Sequence, residues 1–210
     1  MILIGVNAIQ AVALFRLGAH PLEFVLFFGP ELWRREVRPG FTLSLRAIPT
    51  GALLRAPEGM PGVPWSELPR GPALLIALLP LLTLALAGAL LLGPSRFLDS
   101  FLGALPQLVG GALAPVEVGA PLVRGALGEL QRGGLAPLVG VWCTKFLAFN
   151  LLPLPNGYLG QALLPLITPE PGPTPEETPA WPAQLNCLGG LLTVAFGLAW
   201  LAALGAALRG

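Results

Sequence analysis

The sequence has little charge, one histidine and two cysteines. Only 11% of its 210 residues are charged, whereas an ordinary soluble domain carries about 25%. A net charge of +1 without a basic run gives no reason to expect a nucleic-acid partner. The single histidine, His20, excludes any site that needs two histidines from this chain. Because Cys143 and Cys187 lie in apolar stretches, we expect small buried side chains there and not a disulfide or a metal site.

Apolar residues dominate the composition of the chain. They make up 54% of the chain, and the mean hydropathy is +0.75. The 24 prolines and 27 glycines fall mostly near or inside apolar runs, which is not the pattern of a proline-rich disordered chain. This composition predicts an all-α polytopic membrane protein with about four transmembrane helices.

The distribution of apolar runs divides one expected membrane domain, residues 1–210, into seven segments. The basic residues between 17 and 70, half of the chain's total, predict a cytoplasmic location for that segment and place both termini outside. The segments are a first helix (1–17), a cytoplasmic β-hairpin segment (18–70), a span (71–95), an interfacial or re-entrant segment with a loop (96–134), a proline-broken span (135–168), a proline-rich linker (169–183) and a last span (184–208).

Alternating apolar and polar residues from Phe41 to Ala47 predict a half-buried strand. The preceding sequence Arg38-Pro39-Gly40 supplies a turn, so we expect a small hairpin at the membrane surface. If its edge is exposed, Phe41, Leu43 and Leu45 could bind an extended peptide by β-augmentation. The neighbouring arginines are expected to contact lipid headgroups or a cytoplasmic partner.

The charge-free segment 146–168 contains Pro153 and Pro155, with Asn150 and Asn156 beside them. Proline removes a backbone donor and clashes with the preceding turn, so the helix must break there. At membrane depth the freed carbonyls need partners, so such a break lies against protein or water. The sequence therefore predicts either a functional site or a set of polar caps at this point.

Three blocks of the sequence together resemble the bacterial site-2 protease family of intramembrane zinc metalloproteases. The blocks are GAHPLEFVLFFGP (18–30), FTLSLRAIPTGALLR (41–55) and NLLPLPNGYLG (150–160). In that order they are similar to the segment after the family's zinc helix, to its membrane-associated hairpin and to its Asn-x-x-Pro-x-Pro-x-Leu-Asp-Gly-Gly motif. The resemblance implies a site-2-protease-like core in the bacterial inner membrane, crossed several times. The family's PDZ insertion is absent, since 96–134 is too short for it.

The family's catalytic residues are missing from the matching positions. Its members bind zinc through His-Glu-x-x-His and the aspartate of the later motif. Here Val6 and Gln10 stand at the histidines, Asn7 stands at the glutamate and Tyr158 stands at the aspartate. Zinc hydrolysis needs three protein ligands and a base, so the resemblance implies a catalytically inactive pseudoprotease without a cofactor.

Two interpretations of the polar residues remain open. Asn7, Gln10, Asn150, Asn156 and Tyr158 could line a relic groove that binds a transmembrane peptide. Alternatively, they pair with one another or with carbonyls freed by the prolines, as buried polar groups must.

Three functions follow. The first is an inactive scaffold for a membrane-protein partner, surrounded by membrane lipid. The second is an active metalloprotease with atypical ligands. The third is a structural subunit of a larger membrane complex.

Overall fold

The computed structural model describes residues 2–19, 22–55, 68–152, 154, 157–167 and 181–209. The chain divides into two compact units, residues 1–83 and 84–210. In chain order the elements are α1 (Ile2–Arg16), β1 (Leu22–Arg38), β2 (Phe41–Arg55), α2 (Arg70–Leu92), α3 (Pro94–Leu102), α4 (Ala104–Leu113), a π-helical turn (Pro115–Gly119), α5 (Ala120–Gly133), α6 (Leu135–Asn150), α7 (Tyr158–Ile167) and α8 (Trp181–Arg209).

The prediction of an all-α protein with four spans is wrong. The described chain contains a mixed sheet, and only two of its helices are long and apolar enough to cross a membrane, Gly71–Leu92 and Cys187–Arg209. Helices α1 and α6 have 15 and 16 residues. At 1.5 Å per residue they reach roughly 22 to 24 Å, less than the ~30 Å hydrocarbon core.

The two candidate spans indicate association with a membrane. A buried core helix of a soluble protein has the same composition, but it is enclosed by its own chain. Here only 33% and 11% of the residues in the most apolar windows of the two helices are buried. Neither helix lies at the N-terminus, where a signal sequence would be. Their exposed apolar surface therefore requires an apolar environment such as lipid.

Both long strands bend, so that each contributes two strands to one sheet. β1 bends at Phe27 and Gly29, both with positive φ, and gives β1a (22–26) and β1b (31–38). β2 gives β2a (41–46) and β2b (52–55). The pairs Leu22↔Phe41 to Leu26↔Leu45 run parallel, whereas the pairs of β1b with β2a and of β1a with β2b run antiparallel. The sheet order is therefore β1b-β2a-β1a-β2b.

The expected hairpin turn is present between β1b and β2a. Gly40 adopts φ 76°, a conformation that glycine tolerates without strain. Its N–H donates to Glu36 Oε1 at 2.9 Å, and its carbonyl accepts from Leu22 N at 2.8 Å. One glycine thus joins the hairpin to β1a, the strand that lies beside it in the sheet.

One face of the sheet forms the core of the first unit. Leu22, Phe24 and Leu54 are buried on this face and pack against Leu14 of α1 and Ile76 of α2. Phe41 and Leu43 flank them, and the Phe41 ring meets Phe15 edge-on with centroids 5.7 Å apart. The period-2 pattern of β1a and β2a brings these side chains to one face.

In the second unit, two glycines allow α8 to approach the short helices closely. A Cβ on Gly111 would lie 2.6 Å from the Trp200 ring, and one on Gly119 would lie 2.7 Å from the Ala203 Cβ. Trp200 Nε1 also donates to Leu108 O at 3.2 Å. The predicted interfacial segment 96–134 is thus a series of short helices, part of which packs on α8.

Lys145 in α6 donates to Ser100 O at 3.3 Å and to the Gln107 side chain. The Thr144 hydroxyl donates its one proton to Val141 O, so Ser100 Oγ is the donor to Thr144 Oγ1 at 2.7 Å. Burying a lysine is costly unless its ammonium group is hydrogen-bonded. The neutral oxygens of α3 and α4 lower that cost.

Glu129 on α5 pairs with Arg96 and Arg132, each at 3.1 Å. These hydrogen bonds, from Arg96 first, hold the Glu129 pKa below its ordinary value of 4.5. A carboxyl group whose pKa is lowered by folding stabilises the protein above its ordinary pKa. This stabilisation is lost as the pH falls through the folded-state pKa. We therefore expect Glu129→Gln to lower Tm slightly at pH 6 and to leave it unchanged at the lowest pH tested.

The matched control for this titration is Glu117→Gln, which removes a carboxylate without an ion pair in the described part of the chain. Melting of the detergent-solubilised protein is followed from pH 6 downward for both variants. If Glu117→Gln and Glu129→Gln change the pH profile equally, net charge and not the Arg96 pair explains the effect.

Candidate functional site

The three α1 residues that the resemblance aligns with the zinc motif are all buried. Gln10 lies about one turn after both Val6 and Asn7, and all three side chains are buried on one side of the helix. The neighbouring Ile9 and Val12 on the other side are exposed. This face of α1 carries one valine, which offers no ligand atom, and two amides. It can donate and accept hydrogen bonds but cannot supply a histidine-type ligand.

The Gln10 side chain satisfies a carbonyl that a proline leaves free. Pro80 lies inside α2 and has no N–H, so the carbonyl four residues before it, Ile76 O, lacks its normal helical donor. Gln10 Nε2 donates to Ile76 O at 3.1 Å, and this contact is buried. Gln10 therefore repairs the hydrogen-bond pattern of α2 from a neighbouring helix. This favours the structural interpretation of Gln10 over the relic-groove interpretation.

Asn150 bridges the break between α6 and α7. Its Nδ2 donates to Phe146 O at 2.9 Å, and its Oδ1 accepts from the Tyr158 backbone N–H at 3.4 Å. Tyr158 is the first residue of α7, where a backbone donor has no helical partner. Asn150 thus caps one helix from the end of another. Pro153, Pro155 and Asn156, which predicted the break, lie outside the described residues.

The strand predicted to bind a peptide is not an edge. β2a pairs with β1b on one side and with β1a on the other. Phe41 and Leu43 pack toward the hydrophobic core of the first unit, and Leu45 pairs with Leu26 and with Trp33. Within the described residues, no strand pairs with the other side of β1b, and its residues 31–38 are all exposed.

The structure brings together only some of the predicted site residues. Val6, Asn7 and Gln10 belong to the first unit with the hairpin, and Asn150 and Tyr158 belong to the second. His20 and the linker 169–183 up to residue 180 fall outside the described residues. Both cysteines are free; Cys143 is buried, whereas Cys187 is exposed at the start of the second candidate span.

The residues that the resemblance places at zinc-binding positions do not fit the metal. On α1 they offer a hydrocarbon side chain and two amides, and the amide nitrogen of Gln10 is engaged with Ile76 O. Neutral amide and phenol groups replace the histidine and carboxylate ligands that zinc takes in hydrolases. Within the described residues, no three His, Cys, Asp or Glu side chains lie close enough to hold a metal ion.

An ion-paired cluster on the outer face of the sheet escaped the sequence analysis. Glu23 is 0% exposed, and its Oε2 accepts from Arg55 Nε at 3.0 Å and Arg34 Nη2 at 3.5 Å. The signal was a single carboxylate inside the apolar run Leu22 to Phe28, which indicates a buried ion pair. Its partners cannot be read from sequence, because they lie 11 and 32 positions away.

No family model, curated protein or solved structure matches this chain.

Proposed function

We propose that this chain is an inactive, site-2-protease-like protein of the bacterial inner membrane, crossing it more than once, that binds or scaffolds a transmembrane partner. The observation that carries the proposal is the Gln10–Ile76 hydrogen bond. Gln10, which the resemblance places at the second histidine position, donates to a carbonyl of α2, and this supports a structural role for it. This is what we expect of a protein that keeps a protease-like fold for binding and has lost the catalytic residues.

The edge strand β1b is the surface we assign to the partner. It offers a row of backbone groups with no strand beyond it in the described chain, together with exposed Leu32, Trp33 and Val37. An extended juxtamembrane segment of a partner could add as a fifth strand, with hydrogen bonds from the backbone and selectivity from these side chains. Trp33 is the residue type most often found to anchor such contacts.

Zinc content tests the inactive state. We expect elemental analysis of the purified, detergent-solubilised protein to find almost no zinc, both in the wild type and in Tyr158→Ala. The reason is that valine, two amides and a phenol cannot replace the family's ligands. About one zinc per chain, lost in Tyr158→Ala, would contradict the proposal and favour an active metalloprotease with atypical ligands.

Co-purification of a partner with two variants tests the role of the β1b edge. A partner that uses β1b is lost from the purified complex in Trp33→Asp and retained in Leu90→Asn, which alters an exposed residue of α2. A stoichiometric partner that survives Trp33→Asp and is lost with changes elsewhere would indicate a structural subunit of a larger complex.

A further inference from the structure

A groove lies between α1 and the hairpin of β1b and β2a in the first unit. Its volume is about 630 Å³ with its open mouth included. Apolar side chains from both elements line the groove together with two arginines. The lining residues are Ala11, Val12, Phe15, Arg16, Val37, Arg38 and Phe41. We call this feature the α1 groove.

The two arginines of the α1 groove lie around one contact between aromatic rings. Arg16 follows Phe15 in α1, and Arg38 is paired with Phe41 across the hairpin. The Phe15 and Phe41 rings meet edge-on, with centroids 5.7 Å apart. Arg16 ends its helix and Arg38 ends its strand, and both side chains are exposed. Two guanidinium groups are therefore accessible beside the same aromatic contact.

No carboxylate in the described part of the chain lies at ion-pair distance from either arginine. Glu36 lies two residues before Arg38, but it pairs with Thr42. Thr42 and Phe41 point to opposite faces of the sheet, so the Glu36 side chain lies on the face away from the groove. The other acidic residue of β1b, Glu31, lies at the far end of that strand. The α1 groove thus carries two positive charges, and these attract an anion.

The depth of the α1 groove in the membrane identifies the kind of anion. Gln10 donates to Ile76 O, and Ile76 follows Gly71, the start of the candidate span, by about 7.5 Å of helix. Val12 comes two residues after Gln10, so the groove lies near that end of the span, where headgroups meet hydrocarbon. Val12 and Val37 on its walls are 61% and 53% exposed. Such apolar walls favour a hydrocarbon chain over water.

We propose that the α1 groove binds an anionic phospholipid, with an acyl chain between the apolar walls and the phosphate group on Arg16 and Arg38. Guanidinium groups bind phosphate oxygens with two parallel hydrogen bonds, which an ammonium group cannot do. The groove lies on the core face of the sheet, whereas the surface assigned to a protein partner is the backbone edge of β1b. The lipid site therefore does not depend on that partner.

Calorimetric titration of the full-length protein in a non-ionic detergent tests the site. The probes are dihexanoyl phosphatidylglycerol, which is anionic, dihexanoyl phosphatidylcholine, which has a phosphate but no net charge, and inorganic phosphate. We expect the phosphatidylglycerol to bind most tightly. Arg16→Met and Arg38→Met should each weaken its binding by about tenfold, because each removes a charge-assisted hydrogen bond. Both arginines are exposed, so both variants should fold.

Arg124→Met is the matched control for charge, because Arg124 is an exposed arginine of α5 that does not line the groove. It should leave the affinity for phosphatidylglycerol nearly unchanged. Equal weakening by Arg124→Met and Arg38→Met would overturn the site in favour of general surface charge. Phosphatidylcholine bound as tightly as phosphatidylglycerol would overturn the preference for an anionic lipid, and no binding of phosphatidylglycerol would overturn the site itself.

Val12→Asn and Ile9→Asn test the place of the acyl chain. Both residues are exposed on α1, but only Val12 lines the groove. Val12→Asn should weaken phosphatidylglycerol binding by about threefold or more, because it replaces apolar contact surface with an amide. Ile9→Asn should leave that binding unchanged. Equal effects of the two variants, or inorganic phosphate bound as tightly as the lipid, would overturn the acyl chain in the groove.

Discussion

Replacing Gln10 with methionine is expected to lower the free energy of unfolding by about 2 kcal/mol, because it leaves the buried Ile76 carbonyl without a donor. Methionine keeps the length and the burial of the side chain, so the change isolates the hydrogen bond. The measurement is equilibrium unfolding of the detergent-solubilised protein with increasing dodecyl sulfate.

A second substitution should rescue most of that loss. In Pro80→Ala, residue 80 regains an N–H that can donate to Ile76 O within α2. Gln10→Met should then cost much less, and the double-mutant cycle should give a coupling energy of about 1 kcal/mol or more. Pro80→Ala has a cost of its own because Pro80 is buried, and the cycle removes that cost from the comparison.

Pro72→Ala is the matched control for this cycle. Pro72 lies in the first turn of α2, where the carbonyl four residues earlier precedes the helix. Pro72→Ala should therefore show no coupling to Gln10→Met. A coupling as large as that of Pro80→Ala would show that Gln10 responds to the general stability of α2 and not to one carbonyl.

The role of Gln10 also marks a limit of prediction from sequence. The rule that proline frees the carbonyl four residues earlier identifies Ile76 O as soon as Pro80 is placed in a helix. It does not identify the side chain that donates to it, since Gln10 lies 66 positions away. The freed carbonyls expected from the sequence were those near Pro153 and Pro155, and none was expected in α2.

The two long apolar runs were predictable because no other signal competes with them. Gly71 to Ser95 has no charge between Arg70 and Arg96. The helix there ends at Leu92, three residues earlier than expected, because Gly93 adopts φ 79°. The shorter apolar runs led to wrong predictions of membrane spans. Leu135 to Asn150 has the composition of a span, but the helix ends at Asn150 before it reaches spanning length.

The sheet was predictable only in part. The alternation from Phe41 to Ala47 indicated β2a, and Arg38-Pro39-Gly40 indicated its turn. Strand β1a carries the nearly continuous apolar run Leu22 to Phe28, whose periodicity does not separate strand from helix. Its parallel pairing with β2a depends on contacts between distant residues. The predicted peptide-binding edge was therefore placed on a strand that lies inside the sheet.

The buried cluster around Glu23 gives the largest expected effect. Arg55→Met should lower the free energy of unfolding by about 3 kcal/mol, the lower end of the cost of breaking a buried ion pair. The Glu23 carboxylate would remain 0% exposed with its longer contact to Arg34, at 3.5 Å. Glu23→Gln should cost less, because Arg34 and Arg55 are 34% and 28% exposed and can turn toward water.

Removing both charges distinguishes ion pairing from packing. If the cost of Arg55→Met comes from a buried carboxylate that has lost its closest partner, Glu23→Leu combined with Arg55→Met should be more stable than Arg55→Met alone. The same unfolding measurement applies to Arg55→Met, Glu23→Gln, Glu23→Leu and the double variant, with Arg35→Met as the control for net charge. A double variant as unstable as the sum of its parts would mean that the arginine side chain stabilises the sheet by its packing. Glu23 would then be a tolerated charge in the sheet and not the group that orders its outer face.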